Sequence, residues 1–274
     1  MPLADAFDGL LVDLDGVVWV GRDPVPGSPE TLAALLAAGK RIVFVTNNPG
    51  RHPATYAERL RALGVEVDES QVVTAGMVVA RMAAAAADGG GGAFVIGARS
   101  LHEMVAAAGV PLLEGEDGRR ARVVVVAGHR GFDYEELLTA KLALDGGAAL
   151  LATSHDPTMP MPGGEWPGTG AVLAAVETAS GRTAEIAGKP ERHLFEMALE
   201  AIGCGSLSTD DVQEEPRLER VAMVGDRISS DVAGGRAAGL ATILVLSGTS
   251  TRADAEAAEP APDHVLENLA GLLT

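Results

Sequence analysis

Residues 10–16 read Leu-Leu-Val-Asp-Leu-Asp-Gly, and the fold turns on how that run is understood. The apolar residues predict a buried strand, and the strand runs straight into acid. Asp13 has little structural reason to be there, because burying an unpaired carboxylate costs on the order of several kcal/mol. Alternation along a strand puts residues i and i+2 on one side, so Asp13 and Asp15 are expected to face the same way. Two carboxylates held together repel. A hard divalent cation that prefers oxygen ligands, such as magnesium (Mg2+), relieves that repulsion.

Outward from this strand the same grammar repeats. A helix is expected over 29–39, with Pro29 near its start and Gly39 as its C-terminal cap. Residues 41–45 are a β-branched run, hence a second strand, ending in Thr46-Asn47-Asn48; a helix over 53–63 stops at Gly64. A helix over 77–87 leads to a run of four glycines inside 88–92, the best candidate for a boundary or flexible joint. A second alternating set follows, with strands over 93–96, 123–127 and 148–152 and helices over 101–108, 134–144 and 171–180. Residues 157–170 hold four prolines and four glycines and are expected to be irregular. In the third block, 184–187 leads into Gly188-Lys189-Pro190. A helix over 194–202 and a strand over 221–224 ending in Gly225-Asp226 come next. A helix over 230–238 is closed by Gly239, and 241–246 is read as the last core strand. The predicted fold class is α/β, a doubly wound parallel sheet core with a smaller α/β domain inserted. The core takes residues 1–77 and 185–274, and the insert 78–184.

Composition agrees. Hydrophobic residues make up 47% of the 274 and aromatics only 3%, so the core must be built of Val, Leu, Ile and Ala, as in a helix-covered parallel sheet. The net charge of −17 repels nucleic-acid backbones and anionic lipid surfaces, so no nucleic-acid or membrane partner is expected. It also means that phosphate chemistry would need positive charge recruited locally. The one cysteine, Cys204, permits no intrachain disulfide and is read as inert in a loop after a helix. No signal peptide is visible, and 10–20 is too short and too acidic to span a bilayer, so a cytoplasmic location is expected.

Four elements carry candidate chemistry. Asp13/Asp15, Thr46/Asn47 and Asp226 all stand at or just past a predicted strand end, where open parallel sheets bind ligands, and Lys189 precedes a helix. Asp226 would be a third carboxylate. Asp231 reads equally well as a helix-start acid or as support for metal-bound water. Thr46 and Asn47 offer a hydroxyl and backbone N–H groups for phosphate oxygens, although Thr and Asn are also ordinary turn formers. Lys189 taken alone would be a solvated loop lysine.

Taken together, Asp-x-Asp-Gly-Val, Thr-Asn-Asn after a strand, Gly-Lys-Pro, and Gly-Asp-x-x-x-x-Asp resemble the haloacid dehalogenase superfamily of phosphatases, in order and spacing over the whole chain. The insert resembles the α/β cap of its class IIA branch, which includes nitrophenyl-phosphatase-like, phosphoglycolate, pyridoxal-phosphate and glycerol-phosphate phosphatases. The resemblance implies Asp13 as nucleophile and metal ligand, and Asp15 as general acid/base that binds metal through its backbone carbonyl. It implies Thr46 and the Asn47 backbone as phosphoryl holders, Lys189 as the charge balance for Asp13, and Asp226 completing a magnesium site with Asp231 in support. Pro167-Gly168-Thr169-Gly170 through Glu177 to Gly181-Arg182 resembles that branch's cap segment facing the active site. Residues 157–169, with Glu165 and Trp166, are expected to contact the leaving group of a small phosphate ester, such as a sugar phosphate, glycerol phosphate or phosphoglycolate. The branch is often dimeric, which leaves a homodimer open here. Two positions depart from the family pattern: Pro49, where a small hydroxyl residue is common, and Ser154-His155-Asp156 in place of Asn-x-Asp.

Other readings of the acid cluster are a phospho-accepting signalling receiver, a true dehalogenase, and a binding protein on an inactive enzyme scaffold. Receivers are about half this length and place the acceptor later in the chain. A dehalogenase needs neither Asp15 nor metal, and all four motifs are intact.

Overall fold

The computed structural model describes residues 1–88, 90–161, 164–203 and 217–274, so the expectation for Cys204 lies outside the described residues. The chain divides into two compact units. One comprises Met1–Thr46, Pro53–Val73 and Lys189–Thr274, the other Asn47–His52 and Thr74–Gly188.

The first unit is built on a six-stranded sheet. Its strands in chain order are β1 (Gly9–Asp13), β2 (Arg41–Thr46), β3 (Val72–Thr74), β4 (Val221–Gly225), β5 (Ala241–Val245) and β6 (His264–Leu266). Across the sheet they run β6-β5-β4-β1-β2-β3. β1 pairs in parallel with both β2 and β4, β4 with β5, and β5 with β6. The order reverses between β1 and β4, which creates the crevice beyond the strand ends where such sheets bind ligands. Every residue of β1 and β4 is buried, which is why both read as unbroken apolar runs.

Helices Ser28–Ala37, Pro53–Ala62 and Arg192–Ile202 cover this sheet. The first begins at Gly27, in a left-handed conformation (φ 81°), and carries Pro29 in its first turn, where a missing N–H costs nothing. Leu32, Leu35, Tyr56 and Leu60 meet Leu10, Val12, Phe44, Val224 and Ile243 in one core cluster.

The second unit has a four-stranded parallel sheet in the order Glu185–Ile186, Ala149–Ala152, Val123–Val126, Ala93–Ile96. Helix Ala75–Ala87 packs on Arg99–Ala107, and Tyr134–Asp145 on Thr169–Ser180. The last two close a core of Ile96, Val124, Val126, Leu144, Leu150, Leu173 and Val176.

Four expectations need correction. The glycine run does not border the two units but lies within the second. There Gly91 and Gly92 are wanted for close packing, since a Cβ would fall 2.0 Å from the Arg122 side chain and 2.5 Å from that of Leu113. Residues 157–170 are not irregular: Thr158–Met161 and Gly164–Pro167 form an antiparallel ribbon. A lone two-stranded ribbon has two free edges, so Pro160 and Pro167 can sit in it without breaking a central ladder. β5 is not the last core strand, because the half-buried three-residue β6 pairs beside it. The helix expected over 230–238 is a widened π turn, Ile228–Val232, continued by a short α-helix, Ala233–Ala237. Among the described residues no helix is long and apolar enough to cross a membrane.

Leu32 is fully buried in the core cluster. Leu32→Ala is expected to cost about 2–5 kcal/mol, read as a lower denaturant midpoint with unchanged slope. A loss under about 0.5 kcal/mol would mean that the 28–37 helix does not seal this sheet.

Candidate active site

The site grows out of strand ends. β1 stops at Asp13, and parallel pairing sets Asp13 against Val45, so Thr46 lies one residue past that neighbour at the end of β2. Val12 pairs with Val224, so Asp226 emerges just after β4 on the other side of Asp13. The widened turn after β4 then presents Asp231. One oxygen each of Asp13, Asp226 and Asp231 lies within 4.8 Å of the others, and all three residues are buried. Lys189, equally buried, reaches in from the start of the third block. Its Nζ lies 2.7 Å from Asp13 Oδ1 and 2.6 Å from Asp231 Oδ1.

Each acid is held by local structure. The Arg227 N–H donates to Asp231 Oδ2 at 2.9 Å, and the Thr249 N–H donates to Asp226 Oδ2 at 2.6 Å. The Ser250 N–H donates to the Asp226 carbonyl, and the Ser247 hydroxyl to the Gly16 carbonyl at 2.7 Å. Asp226 is wrapped so closely that a Cβ on Gly16 or Gly248 would fall 2.4 or 2.1 Å from its Oδ2. Gly225 is pressed in the same way against Asp231. The loop 247–250 after β5 was not singled out from sequence. Ser-Gly-Thr-Ser looks like any polar turn, and its only signal is its place at a strand end.

The electrostatics is unbalanced. Burial raises the Asp13 carboxyl well above the usual range; Lys189 pulls it down, while Asp231 and Asp226 push it up again. Burial likewise raises Asp226, Asp231 adds to this, and the Thr249 donors offset part of it. Burial alone would lower Lys189, but Asp13 and Asp231 outweigh it and hold the ammonium charged. One ammonium against three carboxylates leaves two negative charges uncompensated. Asp226 Oδ1 is buried with no hydrogen-bond donor among the described residues. Asp231 Oδ1 also lacks a well-directed hydrogen bond but is ion-paired to Lys189. An all-oxygen donor set with two excess charges and an orphaned oxygen fits a hard divalent cation such as magnesium.

Asp15 stands two residues past the end of β1, and its carboxylate accepts a 3.0 Å hydrogen bond at Oδ1 from the Trp19 indole. Among the described residues the third carboxylate of the cluster is therefore Asp231. Burial raises the Asp15 carboxyl, against smaller lowering by Trp19 and Arg59.

The remaining expected residues belong to the second unit. The Asn47 amide donates to Asp156 Oδ2 at 3.3 Å, and Asp156 N–H reaches Ser154 Oγ, so the Ser-His-Asp departure has a definite role within that unit. The Pro49 carbonyl accepts from Ser100. Gly168 leaves no room for a Cβ, which would lie 2.4 Å from the Asp156 carbonyl. Thr169 is buried at the start of its helix and accepts at Oγ1 from the Gly128 N–H, 3.0 Å away. Trp166 is half-buried, with the Arg130 guanidinium 4.2 Å from its ring centre.

A family model described as haloacid dehalogenase-like hydrolase matches residues 10–111, and a second, HAD-hydrolase-like, matches 186–272. Human glycerol-3-phosphate phosphatase is 36% identical over 99% of this chain and 91% of its own length. Mouse chronophin is 36% identical over 97% and 91%. The crystal structure of a glycerol phosphate phosphatase from Mycobacterium tuberculosis in complex with magnesium superposes with a TM-score of 0.87 at 32% identity, over 100% of this chain and 78% of that one. The chain belongs to the haloacid dehalogenase-like hydrolases, in their class IIA phosphatase branch.

The charge imbalance sets a stability test. With no metal, the raised carboxyls of Asp226 and Asp13 cost nothing while protonated, below the ordinary carboxylate range. Stability is lost as pH rises through that range toward their raised values. At neutral pH magnesium at about a hundred times its Kd is expected to stabilise the chelator-treated protein by about 2.7 kcal/mol. Asp226→Asn should abolish that response while leaving the metal-free melting temperature equal or higher. A full magnesium response in the variant would take Asp226 out of the metal site.

Proposed function

We propose that this magnesium-dependent phosphatase hydrolyses small soluble phosphomonoesters, such as a sugar phosphate, glycerol phosphate or phosphoglycolate, with Asp13 as the nucleophile. The observation that carries this reading is the trio Asp13, Asp226 and Asp231 set against the single ammonium of Lys189. Asp13, Asp226 and the Asp15 backbone carbonyl would hold the magnesium ion, with Asp231 in support. When bound, the ion neutralises phosphoryl oxygens and polarises the phosphorus they surround.

The chain's own groups do the rest. Lys189 pairs with Asp13 through Oδ1, which orients the carboxylate and offsets part of the rise that burial imposes on it. The Thr46 hydroxyl and the Asn47 backbone N–H hold the phosphoryl oxygens. An Asp13 oxygen bonds to phosphorus as the ester oxygen leaves, and Asp15 gives that oxygen its proton. Asp15 then takes a proton from water, whose oxygen displaces Asp13 and releases phosphate. A carboxyl raised by burial suits a group that must be protonated for half the cycle.

Residues 78–184 act in this reading as the inserted cap that selects substrates. Gly168 and Thr169 are already committed to packing within that unit, so they shape the ribbon. Trp166 and Glu165 are the ribbon residues assigned to the leaving group, the former under Arg130. The reading extends to a cytoplasmic enzyme, since one cysteine leaves no intrachain disulfide to form.

Asp13→Asn should remove all turnover with the fold intact, excess chelator should do the same, and Asp15→Asn should slow turnover by about 10²-fold or more. Wild-type rates in Asp13→Asn, or full turnover in chelator, would refute the mechanism. For the insert, replacing Glu165 and Trp166 together by alanine should reorder a panel of phosphomonoesters ranked by kcat/KM. Inhibition by free phosphate should hardly move, and an unchanged ranking in a folded variant would place recognition elsewhere.

A further inference from the structure

Trp19 is fully buried, yet its one polar atom is spent on a reacting group: the indole N–H donates to Asp15 Oδ1 at 3.0 Å. Backbone and ring are both held in place. Its backbone bridges that of Asp15, and its carbonyl accepts from the Gly16 N–H at 2.7 Å. Tyr56 lies parallel to it with ring centres 6.4 Å apart. The Arg59 guanidinium sits 3.8 Å from the ring centre and donates onward to the Gly21 carbonyl at 2.8 Å. A core tryptophan that only filled space would need none of this alignment with a carboxylate.

An indole N–H can donate but never accept. It therefore bonds Oδ1 only while that oxygen is an acceptor, which holds for the carboxylate and for the acid protonated on its other oxygen. We propose that Trp19 is a positioning residue that fixes Asp15 through Oδ1 in both half-reactions, so that Oδ2 alone gives and takes the proton. The inference rests on Asp15 being the general acid/base. In the first step the proton on Oδ2 passes to the ester oxygen as the P–O bond to the leaving group breaks and the Asp13–phosphorus bond forms. In the second, Oδ2 receives a proton from the attacking water as the Asp13–phosphorus bond breaks. Oδ1 stays on the indole throughout.

The test uses leaving groups. An alkyl phosphate expels a strongly basic alkoxide and needs the proton, whereas 4-nitrophenyl phosphate expels a stable phenolate and hardly does. kcat/KM reports the first step for both. Trp19→Phe keeps an aromatic ring and removes the donor, together with part of the buried indole's volume. Its kcat/KM should fall by about tenfold or more for alkyl phosphates and by less than about threefold for 4-nitrophenyl phosphate, with KM little changed. The benzothiophene isostere of tryptophan at position 19, with sulfur in place of N–H, should give the same split even if Trp19→Phe folds poorly. Equal losses for both substrate classes, or no loss, would overturn the proposal. Asp15→Asn, run alongside, separates the two ideas. If Asp15→Asn shows the leaving-group dependence and the Trp19 variants do not, positioning alone fails. If Asp15→Asn shows none, the acid assignment fails and takes this inference with it.

Discussion

Everything at this site depends on one constraint: three carboxylates are buried together with one lysine to balance them. Asp13 and Lys189 stand 176 residues apart in the chain and meet at 2.7 Å. Burying them unpaired would cost on the order of several kcal/mol per charge. The ion pair stabilises the folded arrangement only in part, since two negative charges remain. The protein therefore carries a local electrostatic deficit that the rest of the core must overpower. The tightly packed sheet, with β1 and β4 buried along their whole length, supplies that force.

The topology explains how such distant residues come to be held together. Parallel strands point their ends the same way, so acids placed after β1 and β4 emerge side by side at the one place where the strand order reverses. The supporting contacts are then mostly backbone. Thr249 and Arg227 donate main-chain N–H groups, and Gly16, Gly225 and Gly248 let the backbone close on the acids. A backbone donor cannot change rotamer, which makes it a stiffer partner for a carboxylate than a long side chain would be.

How much of this was legible in the sequence follows from what kind of signal each residue leaves. Asp13 stands out because an acid in an apolar run has no cheap structural explanation, and Asp226 because it follows another such run. Asp231 was ambiguous, since an acid near a helix start is common. Only its contacts with Lys189 and the Arg227 N–H settle where it points. Strand geometry stops at Asp13, so the period of two does not reach Asp15. β6 escaped notice because three half-buried residues at a sheet edge leave almost no pattern. The 158–167 ribbon escaped because prolines that would break a central strand are harmless on a ribbon with two free edges.

The surface charge and the site charge then have to be reconciled. A net charge of −17 looks hostile to a phosphate substrate. Yet at physiological ionic strength charges more than about 8 Å away are largely screened, so surface acids matter little at the crevice. What a phosphoryl group meets is the immediate cluster, which is buried and poorly screened. Without a cation that cluster is itself net negative and would reject the substrate more strongly than the whole surface does. A bound divalent ion would offset that excess charge, and in the proposed reading Lys189 and the backbone donors then act on the phosphoryl oxygens. In the proposed reading the metal thus serves substrate entry as well as the transfer step, a double role set by Asp13, Asp226, Asp231 and Lys189 together.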